Sequence, residues 1–197
     1  FSCLSMSFNV QAQFNDLWIP DTLAGPDFNL TIKDTLAQIK PGQQTITAGI
    51  NSKFWGPTLI FHKGDTVRMR VVNKLNEATT LHWHGMHLPA VMDGGPHQVI
   101  PPNSVWTPYW KVKNHAATYW YHPHNRSWEQ MARGLYGALI IEEAGEVPEV
   151  DLDEVLLLDD WRLTDQAQIS DDFENMHDWA HAGRIGNWIT TNGDGAW

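Results

Sequence analysis

The chain has 197 residues, 42% of them hydrophobic and 18% charged, a globular composition with room for one good core and a little more. Its 13 Lys and Arg against 23 Asp and Glu leave a formal charge of −10, and with no basic run the chain is a poor nucleic-acid binder, because phosphate contacts need clustered cations. No apolar stretch reaches the roughly 18–20 residues that span a bilayer, and the single Cys excludes an internal disulfide framework or a Cys-rich zinc site. What stands out is 11 Trp and 10 His in so short a chain.

Phe1 to Ala12 carries no charge and reads as an apolar run ending in a small residue, like the back half of a secretory signal peptide. Cleavage after Ala12 would leave Gln13 as the mature N-terminus, exclude Cys3 from the mature protein and send it out of the cytoplasm. Phe28 to Lys33 then alternates apolar and polar residues, the pattern of a half-buried strand. Pro57 to Phe61 is a short apolar run closed by the turn Lys63-Gly64-Asp65, and Val67, Met69 and Val71 alternate with Arg68 and Arg70. Further strands are expected at Thr79–Trp83, Val105–Val112, Thr118–His122 and Gly137–Glu142. Turn signals at Asp93-Gly94-Gly95-Pro96, Pro101-Pro102-Asn103 and Lys113-Asn114 separate them. Many short strands at such intervals predict an all-β sandwich or barrel. The spacing predicts one short helix, Ser127 to Arg133.

The acidic, Gly- and Pro-containing stretch 143–153 is the expected boundary. Beyond it Val155 to Leu158 reads as a buried strand and residues 162–187 as polar and irregular. Trp188 to Thr191 reads as a strand before the hairpin signal Asn192-Gly193. No returning strand is expected in the few residues after it, which predicts that the natural chain continues.

The chemistry lies in two His-x-His motifs, His82-Trp83-His84-Gly85 and His122-Pro123-His124. On an extended strand, residues i and i+2 share a face, so each motif projects two imidazoles side by side. Two such strands brought together would gather four. Imidazole suits copper, zinc, iron and nickel, and four ring nitrogens without a carboxylate or thiolate at motif spacing favour copper over magnesium or calcium. Trp83, between two of these His, should face the other way and wedge the strand. His62, His97, His115, His177 and His181 have no partner at ligand spacing and are expected to be surface or structural; His87 is expected at the rim of the cluster.

The run Thr79 to Gly85, followed by Asp93 to Pro96, Ile100-Pro101-Pro102, Tyr119 to His124, Gly134 to Gly137 and Ile140 to Glu142, resembles the first cupredoxin domain of the multicopper oxidases. It looks closest to their bacterial cuprous-oxidase and spore-coat laccase branch. The resemblance implies a Greek-key β-sandwich of the cupredoxin type at 13–145. Residues 146–197 would be a linker and the opening strands of a second such domain, and 1–12 a signal remnant. It implies a copper cofactor, with His82 on the lone type 2 copper and His84, His122 and His124 on the binuclear type 3 pair, His84 and His122 sharing one ion. Asp93 matches a carboxylate associated with proton delivery. The implied partners are dioxygen, a reductant such as a phenol or cuprous ion, and C-terminal cupredoxin domains. Those domains would supply the type 1 copper and the other half of the trinuclear cluster's ligands, so this chain alone is expected to be inactive. The implied location is periplasmic or secreted.

Other readings are weaker. His82, His84 and His87 partly match a metallo-β-lactamase motif, but Met86 stands where its Asp belongs. A cupin would want a Glu soon after the first motif, and an electron-transfer cupredoxin a Cys ligand better placed than Cys3. A non-enzymatic relative, structural or copper-binding, is the main alternative.

Overall fold

The computed structural model describes residues 17–142, 144–145, 149–181 and 183–195. The signal-like segment, Cys3 and Gln13 lie outside the described residues. Thirteen strands are formed among the described residues: β1 (Thr22–Ala24), β2 (Asp27–Ala37), β3 (Thr45–Ile50), β4 (Thr58–His62), β5 (Thr66–Asn73), β6 (His82–His84), β7 (Val105–Trp106), β8 (Tyr109–Lys111), β9 (Ala117–His122), β10 (Gly137–Glu142), β11 (Leu158–Trp161), β12 (Trp188–Thr191) and β13 (Asp194–Gly195). Two short helices join them, α1 (Ser127–Gln130) and α2 (Met176–Ala180).

Alternation decides the layers. Along β2, Phe28, Leu30 and Ile32 turn inward while their neighbours stay out, and along β5 Val67, Met69 and Val71 do the same. One sheet runs β1-β4-β10-β9-β6, the other β3-β2-β5-β7, with β8 also paired to β5. From β4 onward the chain passes repeatedly between the sheets, and β2 and β5 pair in parallel. This is the expected Greek-key sandwich. Leu59, Phe61, Leu139, Ile141, Trp83 and Tyr121 close the core from the first sheet against the β2 and β5 residues of the second.

Tyr121 shows how tightly that core is built. Its phenol is fully buried and donates to the Pro57 carbonyl at 2.6 Å. Burial raises its pKa well above the usual phenol range, so it stays a neutral donor. Gly137 sits opposite it across the β9–β10 ladder, and a Cβ there would lie 2.3 Å from the phenol oxygen.

Residues beyond the acidic stretch pack onto the sandwich through a second cluster. Phe54, Trp55, Trp161 and Leu163 are buried together, with the Phe54 ring 5.9 Å from Trp161 and edge-on to it. Thr45 Oγ1 donates to the Ala167 carbonyl at 2.7 Å, and the Gln168 amide donates to the Gln44 carbonyl at 2.7 Å. Arg162 pairs with Asp172 and Asp178.

Several expectations need correction. Val155–Leu158 is not a buried strand: β11 starts only at Leu158, and Leu156 and Leu158 are 59% and 74% exposed. Burial there begins at Trp161, which has the aromatic cluster to enter. The hairpin signal does have a returning strand, β13, which pairs Thr190 with Gly195 and Thr191 with Asp194. The run Val105–Val112 is split into β7 and β8 around Thr107-Pro108, where proline has no N–H for a ladder. β1 and β3 were not foreseen, nor was α2, which Asn175 caps by accepting from His177 N at 2.9 Å. The helix at Ser127 ends at Gln130.

Tyr121→Phe should cost about 1–3 kcal/mol by leaving the buried Pro57 carbonyl unsatisfied. Gly137→Ala should cost about 1–3 kcal/mol by overpacking the same phenol. Urea melts check both, and an unchanged midpoint for Gly137→Ala would show that the phenol can move aside.

Candidate metal centre

Among the described residues β6 is the last strand of its sheet, and its one neighbour there is β9. The antiparallel register sets His82 opposite His122, Trp83 opposite Tyr121 and His84 opposite Trp120. Directly paired residues share a face, so one face of this two-strand edge carries His82, His84, Trp120 and His122, and the other carries Trp83 and Tyr121 into the core. Trp83 is fully buried and its ring lies 5.0 Å from that of Trp110, so it wedges the strand from behind, as expected.

His124 follows the end of β9 and completes the group. Its ring centre lies 4.4 Å from that of His82 and 5.1 Å from that of His122. Ring nitrogens of His82, His84 and His122 all fall within 4.8 Å of one another. His84 Nδ1 and His122 Nε2 are 3.1 Å apart. With metal–nitrogen bonds of about 2.0 Å, two nitrogens on one ion lie about 2.8–3.3 Å apart, so this pair already has the spacing of co-ligands.

Two of the four rings are aimed by backbone carbonyls. His82 Nδ1 lies 2.8 Å from the Asp93 carbonyl oxygen, and His122 Nδ1 lies 3.0 Å from the Pro123 carbonyl oxygen. A carbonyl can only accept, so both rings carry their proton on Nδ1 and leave the lone pair on Nε2, which in His122 faces His84 Nδ1, the usual tautomer behind a metal-bound His. His124 is set by its backbone N–H, which donates to Thr80 Oγ1 at 2.6 Å. Burial pushes the pKa of His122 down to about 4, and burial followed by the neighbouring His82 lowers that of His124. Both are therefore neutral at physiological pH, the form that can bind a metal.

Asp93 reaches the cluster twice. Besides its carbonyl, its carboxylate Oδ1 lies 3.3 Å from His82 Nδ1. The loop that brings it there is forced close to β6: Gly94 has φ +70°, and a Cβ on it would lie 1.8 Å from the Leu81 carbonyl oxygen. Only glycine fits both demands.

Sequence reasoning missed Trp120. Its ring stacks on His122 at 4.0 Å with a 22° tilt and stands 4.9 Å from His84, covering one side of the centre. The signal was present, since Trp120 precedes His122 by two residues and shares its strand face. Asn114 was also missed; its side chain accepts from His87 N at 2.7 Å and donates to the Gly85 carbonyl at 2.8 Å, pinning the turn after β6. His87 itself is exposed on that turn. His62 pairs with Glu142 at 2.8 Å. His177 and His181 are exposed, as expected, and their rings stack with centres 4.2 Å apart, His177 on α2 and His181 just past its end.

The donor set fits a late transition metal: converging imidazoles, with the one nearby carboxylate turned to the Nδ1 side of His82. The sequence profile of the multicopper oxidases matches residues 31–146, and the chain belongs to that family. It is 36% identical over 184 residues to a copper resistance protein A homolog of Pseudomonas syringae pv. tomato, which covers 90% of this chain and 31% of that protein. It is 40% identical over 159 residues to copper resistance protein A of Escherichia coli, covering 79% and 26% of the two. A laccase-like multicopper oxidase from Ochrobactrum sp. superposes with a TM-score of 0.83 at 29% identity over 91% of this chain and 42% of that one, and establishes the cupredoxin fold. The matched region thus spans 31% and 26% of the length of these two curated relatives.

Because the carbonyl of residue 93 survives any side-chain change, Asp93→Ala should alter metal affinity less than 10-fold. Gly94→Ala displaces that carbonyl and should weaken affinity by about 10–100-fold. Competition against a chelator of known affinity ranks the two; equal losses would mean that the carboxylate, not the carbonyl, aims His82.

Proposed function

We propose that this chain is the dioxygen-side part of a multicopper oxidase that takes single electrons from a reducing substrate and reduces dioxygen to water. His82 would hold the type 2 copper, His84 and His122 one copper of the type 3 pair, and His124 the other. When bound, copper supplies the one-electron redox chemistry between reductant and dioxygen. Phenols and cuprous or other metal ions are the proposed reductants.

The protein's own residues have three tasks. The backbone carbonyls of Asp93 and Pro123 hold Nδ1 protons and keep Nε2 lone pairs turned to the centre. Trp120 stacks on the His122 ring and so holds it in place beside His84. Dioxygen takes up four electrons and four protons to give two waters, and Asp93, whose carboxylate is the nearest to His82, is the proposed proton relay. Other cupredoxin domains would complete the cluster and hold the type 1 copper. On this reading residues 13–145 are the first domain, 146–197 the linker and beginning of the second, and the protein works in the periplasm or is secreted. No helix among the described residues is long and apolar enough to cross a membrane.

The observation that carries this reading is the His84–His122 nitrogen pair at 3.1 Å, flanked by His82 and His124. The test is copper content together with dioxygen uptake. The full-length protein should consume dioxygen with a phenol or cuprous ion. His122→Ala should lose copper affinity by more than about 100-fold, beyond the 10–100-fold of a partner one step removed. Residues 1–197 alone, loaded with copper, should show no turnover; turnover by that piece would overturn the proposed division of labour. Copper binding without dioxygen uptake by the full-length protein would make it a non-enzymatic copper binder.

A further inference from the structure

His124 lies past the end of β9, so the register of the two strands does not place it. Its ring nevertheless stands 4.4 Å from that of His82 and 5.1 Å from that of His122. What fixes its main chain is the bond from its N–H to Thr80 Oγ1, at 2.6 Å. Thr80 is fully buried and enters the chain just before His82. The placing of His124 against His82 therefore depends on what holds residues 78–80.

That segment is gripped from two sides. On one, Thr79 exchanges both backbone hydrogen bonds with Ile100, at 3.1 and 2.7 Å. On the other stands Gln130, the last residue of α1. Its Nε2 donates to the Ala78 carbonyl at 2.9 Å, and its Oε1 accepts from Thr79 Oγ1 at 2.7 Å. Asn125, next to His124, donates to the same Ala78 carbonyl at 2.7 Å. The stretch from His124 to Gln130 thus bonds to residues 78–80 at both of its ends. Gln130 and Thr79 are both fully buried. A leucine could fill that space without the cost of desolvating an amide. The amide is the group that can hold a carbonyl and a hydroxyl of adjacent residues at once, and it does so without adding charge. Its own main chain is tied back to Arg126 and Leu135, at 2.9 and 3.2 Å.

We infer that Gln130 is a positioning residue for His124. Through Ala78 and Thr79 it holds Thr80 where that hydroxyl receives the His124 N–H, and so sets where the His124 ring stands beside His82. The inference rests on the reading of His124 as a copper ligand. It gives the buried polar group of α1 a role in the centre that its place in the sequence does not show.

The test is the copper affinity of the full-length protein, by competition against a chelator of known affinity, with urea midpoints measured alongside. The variants are His124→Ala, Gln130→Leu, Thr79→Val, Thr79→Ser and the Gln130→Leu/Thr79→Val double. Gln130→Leu and Thr79→Val should each weaken one equivalent of copper by about 10–100-fold, as changes one step behind a ligand do. That equivalent should be the one that His124→Ala loses. The double variant should lose little more than either single, because both cut one connection. Thr79→Ser keeps the hydroxyl and should restore the affinity. Unchanged copper affinity in Gln130→Leu with a lowered urea midpoint would overturn the inference and leave Gln130 as a core residue only. Equal weakening of every equivalent would overturn it as well, since that marks general disruption. Thr79→Val is nearly isosteric and carries the same test should Gln130→Leu fail to fold. Full copper content in His124→Ala would instead remove His124 from the ligands, and the inference would fall with that reading.

Discussion

The site depends on one registration, that of β6 against β9. His82 faces His122 and His84 faces Trp120 only while the two strands keep this offset. A slip of one residue would turn Trp83 and Tyr121 to solvent and drive imidazoles into the core. What prevents it is the opposite face. Trp83 and Tyr121 are fully buried, and the Tyr121 phenol is locked to the Pro57 carbonyl in a space left by Gly56 and Gly137. The packing that stabilises the sandwich is therefore the packing that aims the imidazoles. A two-strand sheet edge, otherwise a weak place, becomes rigid enough to hold four rings in a small volume.

Around that edge the backbone does the fine adjustment. Two rings have their Nδ1 protons tied to carbonyls, and the one from Asp93 arrives through a loop that approaches β6 closely at Gly94. Carbonyl partners suit a metal centre because they fix the tautomer without adding charge. Burial then keeps His122 neutral far below physiological pH. A carbonyl also meets a ring just past the end of α2, where His181 Nδ1 lies 2.9 Å from the His177 carbonyl oxygen.

The part beyond residue 149 is organised differently. Its buried groups, Trp161 and Leu163, enter an aromatic cluster shared with Phe54 and Trp55 of the sandwich, while Leu156, Leu158 and Ile189 stay exposed. Pattern reading failed here. An apolar run such as Val155 to Leu158 looks like a core strand when only composition is seen, yet burial depends on what lies opposite. Likewise α2 was invisible because its Asn cap and its Arg162–Asp178 anchor involve residues far apart in sequence or common in loops.

Local pattern alone determined much of this protein. Period-two alternation marked β2 and β5, β-rich runs bounded by turn signals marked β9 and β10, and two His-x-His motifs marked the imidazoles, because strand geometry puts i and i+2 on one face whatever surrounds them. Family resemblance then supplied the metal. Tertiary structure decided what alternation cannot encode: that the two motifs meet, that His84 and His122 are the pair at 3.1 Å, and that Trp120 covers them. It also decided that His177 and His181 stack at the end of α2. Contacts between distant segments are set by how the sheets and loops pack, and no window of sequence contains that packing.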